Sequence, residues 1–119
     1  MSRKITLLLF VAIFTLPLFA LSGNDTIRVL TIGNSFSEDA VENYLHDLGK
    51  ADDVHFIIGN MYIGGCSLET HWGNAQNDSK SYSYRKISAS GTKQTTDKVA
   101  LSEAIADEKW DYISFQQVS

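Results

Sequence analysis

Residues 27–32 read IRVLTI, and this run constrains the fold more than any other part of the chain. It is β-branched and almost continuously apolar, whereas a strand with one wet face alternates apolar and polar residues. A strand of this kind is buried on both faces, which calls for a parallel sheet with helices on either side. Gly33-Asn34-Ser35-Phe36 breaks the run. The next apolar positions, Val41, Tyr44, Leu45 and Leu48, are spaced i, i+3, i+4 and i+7 and predict one helix over residues 37–50. Ser37 would cap its first amides, Glu38 and Asp39 would complement its positive end, and Gly49 marks a stop.

Residues 54–58 predict a second strand, and residues 60–67 a loop containing Gly64-Gly65. A short helix over 68–72 would be capped by Ser67. Residues 82–88 alternate aromatic or apolar with polar side chains, an exposed strand that Ser90-Gly91 could turn into a hairpin with 93–95. Thr96 or Asp97 then caps a helix to about Lys109, with Val99, Leu101, Ala104 and Ile105 inward. Residues 111–116, DYISFQ, predict a third core strand. Strands alternating with helices indicate βαβ units and an α/β fold, a three-layer α/β/α sandwich around a parallel sheet. Only two good helices accompany three core strands, so the expectation is the N-terminal part of a larger domain whose C-terminal part is missing.

The first 22 residues stand apart. Arg3 and Lys4 precede an apolar stretch over 5–21, and small residues follow at Ala20, Ser22 and Gly23. That order is a secretory signal peptide, with cleavage before Gly23 and the domain proper over 23–119. A cut after Ala20 and an uncleaved membrane helix are the alternatives; the run is short for a bilayer and contains Pro17. Periplasmic or extracellular export is expected, with membrane contact only through the leader. Without those residues the chain keeps eight basic against fourteen acidic side chains. So acidic a domain is a poor candidate for neutralising nucleic-acid phosphates. A single cysteine, Cys66, allows neither an internal disulfide nor a cysteine-based zinc cluster. His46, His55 and His71 are too scattered to suggest a metal, and no cofactor is expected.

Ser35 is the leading chemical candidate. It ends the first strand just before a helix, the edge where open α/β sheets bind ligands, and helix amides there could hold an oxyanion. Gly33 permits a sharp turn and Asn34 tolerates unusual dihedrals. The bland reading is a cap: Ser35-x-x-Glu38 matches a capping box, and on local spacing alone that is the commoner explanation. Gly64 and Gly65 end the second strand on the same edge, either as close-approach N–H donors or as an ordinary turn. Gln116 and Gln117 end the third, with side-chain amides able to donate. His71 and Trp72 follow the glycine loop and could touch a substrate; Trp72, Tyr62 and Tyr82 could stack on sugar rings or simply pack. Cys66 reads as a small packing residue.

Taken together, IGNSFS (32–37), IGGCSLETHW (63–72) and WDYISFQQVS (110–119) resemble the conserved blocks of the SGNH (GDSL-type) hydrolases, in a bacterial branch known only as a domain of unknown function. The resemblance implies a flavodoxin-like fold of that superfamily. It implies Ser35 as nucleophile and oxyanion donor, and Gly65 or Gly64 as the second donor. Gln116 or Gln117 stands near the place of the family's asparagine. The Asp-x-x-His block that supplies base and acid has no match. The function expected is an exported serine esterase, removing O-acetyl groups from a carbohydrate. A non-catalytic carbohydrate-binding or interaction module and an inactive truncated remnant are the alternatives. The expected partner is a small ester or acetylated sugar, with the oligomeric state open.

Overall fold

The computed structural model describes residues 25–118. The leader expected over 1–22 lies outside them. Five strands form one sheet in the order β4-β3-β2-β1-β5. β1 (Thr26–Gly33) lies between β2 (His55–Tyr62) and β5 (Tyr112–Phe115), parallel to both. Its register runs from Thr26 opposite His55 to Gly33 opposite Tyr62, and from Val29 opposite Tyr112 to Ile32 opposite Phe115. β3 (Tyr82–Ile87) is antiparallel to β2, and β4 (Lys93–Val99) is antiparallel to β3.

The molecule is therefore a mixed α/β fold, and the expectation of a parallel sheet is corrected at this edge. The hairpin of β3 and β4 joins the sheet along β2 instead of lying apart from it. Tyr82 and Tyr84 are buried in the apolar core and Ile87 is buried on the opposite face beside Ile58, so this is no exposed ribbon. β4 also runs four residues further than expected: Thr96, one of the two predicted helix caps, stays paired with Tyr84. β-branched residues fit that ladder well. The next helix, Leu101–Asp107, starts at Ala100, whose amide donates to the Glu103 carboxylate at 2.8 Å.

Side chains alternate across β1 and β2, and the two faces differ in kind. On one, Leu30, Ile32 and Met61 pack with Tyr82, Tyr84, Val99, Leu101 and Ala104 into an apolar core. Gly59 belongs to this face because Trp110, Leu30 and Tyr84 close over it; a Cβ there would sit 2.8 Å from the Trp110 ring. On the other face lie Thr31, Asn60 and the segment after β1. The single helix expected over 37–50 is instead three pieces: α1 (Ser35–Ser37), a π-helical turn (Glu38–Glu42) and α2 (Leu45–Ala51). The apolar spacing suggested one straight helix, but Tyr44 is 62% and Leu48 66% exposed, while Glu42 is buried. Gly49 does not end the helix. It lets α2 press onto β2, where a Cβ would come within 2.4 Å of the Phe56 ring.

α3 (Leu68–Gln76) begins as expected, with Ser67 Oγ accepting from the Thr70 amide at 3.2 Å, and runs four residues longer. We label Leu101–Asp107 α4. β5 departs from expectation: a core strand was predicted, yet Tyr112, Ile113 and Phe115 are 65%, 43% and 58% exposed, and β5 is the sheet's edge among the described residues.

Candidate functional site

The three parallel strands end side by side, and the segments leaving them are tied together. Ile63 N–H donates to Gly33 O at 3.2 Å, and Gln116 N–H to Ile32 O at 3.0 Å. The Asn34 side chain is fully buried with both ends engaged: Oδ1 accepts from Phe36 N at 3.1 Å and Nδ2 donates to Cys66 O at 3.1 Å. Asn34, not Ser37, is thus the N-cap of the segment after β1. Ser35 is not a cap and makes no capping box. It stands exposed between Asn34 and Ser37, both 0% exposed. α1 continues directly into the π-helical turn, so the helical run behind Ser35 ends at Glu42 and is shorter than the one expected.

The turn is close-packed from below. A Cβ on Gly33 would meet Ser37 Oγ at 2.7 Å and Gln116 Oε1 at 2.8 Å, so glycine is required by space. Gly65 is required by conformation: its φ is +63° and nothing lies within 4 Å of its would-be Cβ. Gly64 is exposed beside it. Gln116 lays its side chain over Gly33, with Oε1 buried and unpartnered among the described residues. Gln117 Oε1 accepts from Leu68 N at 2.8 Å, so this glutamine fastens the start of α3.

Beneath the turn runs a polar network that sequence reasoning did not anticipate. Ser37 Oγ lies 2.7 Å from Asn34 O and 2.9 Å from Asn60 Oδ1. Thr31 Oγ1 also donates to Asn60 Oδ1, at 2.9 Å. Asn60 Nδ2 donates to Glu42 Oε2 at 2.7 Å. Glu42 pairs with Arg85 at 3.1 Å and with Lys93, and Arg85 reaches Glu38 at 3.3 Å while lying 3.9 Å above the Tyr62 ring. Burial pushes the Glu42 pKa up, but hydrogen bonds from Lys93, Asn60 and Arg85 outweigh it and hold the carboxyl below its ordinary range. The one available signal was Asn60 itself, a carboxamide inside the apolar strand IIGNMY.

His71 and Trp72 line one cleft but differ in burial. His71 is 2% exposed and stacks on Tyr82, with ring centroids 5.7 Å apart and Nδ1 2.8 Å from Tyr82 Oη. Burial lowers its pKa, so the imidazole is neutral at pH 7. Cys66 Sγ lies 3.5 Å from the same nitrogen, and burial pushes the thiol up, which suits packing and not nucleophilic attack. Tyr82 is core, not a sugar platform. Trp72 is 65% exposed and, with His71, Ile32, Leu68, Ile105 and Phe115, lines a cleft of about 410 Å³. Ser35 does not line that cleft, and no histidine hydrogen-bonds to it among the described residues.

These features define a class: a mixed α/β protein whose parallel strand ends carry an exposed serine on a rigid, hydrogen-bonded turn. The family described as Domain of unknown function (DUF4886) matches residues 28–119, and the chain belongs to it. A solved DUF4886 family protein from Bacteroides uniformis ATCC 8492, at 1.50 Å, is similar with a TM-score of 0.77 and 58% identity. The match covers 79% of this chain and 36% of that one, so the chain spans about a third of that relative's length. No curated protein matches. The resemblance to SGNH hydrolases is corrected: family and solved relative are both DUF4886, and neither connects the chain to that superfamily. The three blocks that carried the resemblance are strand ends followed by tight turns. Open α/β sheets produce such segments generally, so short motifs of this kind do not specify one superfamily.

Proposed function

We propose that the protein is a serine ester hydrolase with Ser35 as nucleophile. One observation carries this reading: Ser35 is exposed while both of its anchors, Asn34 and Ser37, are fully buried, at the carboxyl ends of parallel strands. A backbone turn anchored at Asn34 and Ser37 presents the Ser35 hydroxyl at that edge and reduces the ordering entropy of attack. The Ser35 amide and the Gly65 amide, with Gly64 and the Gln116 side chain beside them, supply donors for an oxyanion. On this reading a general base and its orienting acid come from elsewhere in the full-length protein; the chain covers 36% of its solved relative. The complete domain is a three-layer α/β/α sandwich.

The substrate is an ester, and the exported location expected from residues 1–22 favours an acetylated carbohydrate. In the full-length protein, Ser35→Ala is expected to abolish hydrolysis of p-nitrophenyl acetate and of acetylated oligosaccharides, with the melting temperature nearly unchanged. Undiminished turnover by that variant would remove Ser35 from the mechanism. A non-catalytic carbohydrate-binding module is the second reading, favoured by the exposed Trp72 beside its cleft. Saturable glycan binding that survives Ser35→Ala, with no turnover in either protein, is its signature.

A further inference from the structure

The network under the turn has a direction, and that direction comes from its one buried carboxylate. An ionised carboxylate only accepts hydrogen bonds. Glu42 Oε2, 2.7 Å from the Asn60 amide, therefore draws the NH₂ end of Asn60 toward itself. The other end, Oδ1, is then turned toward Ser37 and Thr31 and can only accept from them, at 2.9 Å each. Ser37 is committed as donor, its single proton held between Asn60 Oδ1 and Asn34 O. Asn34 in turn caps Phe36 N and ties the turn to Cys66. Every residue in this relay from Asn34 to Glu42 is buried, so water cannot substitute for a lost partner.

We propose that Glu42 and Asn60 are positioning residues for Ser35, setting the polarity of the hydrogen bonds that hold Asn34 and Ser37 on either side of it. Neither touches the reacting atoms; they act through Ser37 and Asn34. This rests on the reading of Ser35 as nucleophile. If Glu42 is replaced by an amide, Asn60 loses its reason to face one way, and the two orientations of the relay compete. Small displacements of a nucleophile are costly in rate: about 1 Å can cost on the order of a hundredfold.

The test is the rate of covalent labelling of Ser35 by a fluorophosphonate, together with kcat and KM for p-nitrophenyl acetate, on the full-length protein. Glu42→Gln is expected to slow labelling and lower kcat by about tenfold or more, with KM within about twofold. Ser37→Ala, a smaller change that keeps the fold if Glu42→Gln does not, is expected to act in the same direction. The exchange Glu42→Gln with Asn60→Asp returns an obligate acceptor to face Ser37 and should recover part of the lost rate. A mere loss of stability would not produce that recovery. If the wild type is labelled at Ser35 and both Glu42→Gln and Ser37→Ala react at its rate, the positioning role is overturned while the nucleophile stands. If the wild type is labelled no faster than Ser35→Ala, the nucleophile reading itself falls and the positioning role falls with it.

Discussion

The two faces of β1 and β2 solve the same packing problem by opposite means. On one, Leu30, Ile32 and Met61 meet aromatic and aliphatic neighbours from β3, β4 and α4. On the other, Thr31 bonds to the neighbouring Asn60, and Asn60 bonds to Ser37 and Glu42, through hydrogen bonds of 2.7–2.9 Å. The apolar face gains from removing surface from water and tolerates adjustment of shape. The polar face gains little net energy from each bond but loses much if one partner is left alone. The first kind of interior supplies stability; the second holds a backbone turn in one geometry.

The contrast is broken most forcefully on the apolar side. Leu30→Ala is expected to cost roughly 2–5 kcal/mol, because the side chain is fully buried and a cavity would remain. For a domain of this size that is a fall in melting temperature of roughly 10 °C or more by calorimetry. Activity per folded molecule should persist, since Leu30 faces away from the turn. A shift of only a degree or two would show that this core is looser than its burial indicates.

Acid sharpens the comparison from the polar side. The folded Glu42 carboxyl has a lower pKa than in the unfolded chain, so it stabilises the fold fully above the ordinary carboxylate range. That contribution is lost as pH falls through its folded value. Asp107 and Glu108 are also held low, chiefly by Lys86, and lose stability over the same acid range. Melting temperatures of wild type and Glu42→Gln, measured from pH 7 downward, isolate Glu42: the gap between them should narrow below about pH 4. A gap independent of pH would mean that the buried carboxylate contributes nothing as an anion. The smallest effect belongs to the glycine loop. Gly65→Ala forces a left-handed residue into open space and should cost about 1 kcal/mol in denaturant unfolding.

Much of the architecture was legible in the sequence because its cues are local. IRVLTI announced a central parallel strand, Ser67 announced the start of α3, and Ser90-Gly91 announced the hairpin. The exposed serine after β1 was legible too, though Ser35 alone could not be told from a cap until Asn34 was seen to fill that role. The network beneath it was not legible. Nothing in the sequence marks Glu42 or Arg85 as partners, because charged residues are mostly exposed. They become partners, Glu42 buried and Arg85 partly so, only when β3 lies beside β2. The broken helix was hidden for the same reason: its apolar spacing suited an unbroken one, and only the pull of Glu42 into the network reveals the interruption.

That interruption, the π-helical turn Glu38–Glu42, has a consequence for the kinds of change the segment can absorb. A π turn is a helix carrying one residue more than its path needs. Exchanging a side chain such as Asp39 or Ala40 there alters only the exposed surface. Removing that extra residue would let the segment close to a regular helix with α2 still in register, and the bulge that sets Glu42 against the sheet would be lost. The stretch between Ser35 and α2 is thus free to vary in spelling at Asp39 and Ala40 but not at Ser37 or Glu42.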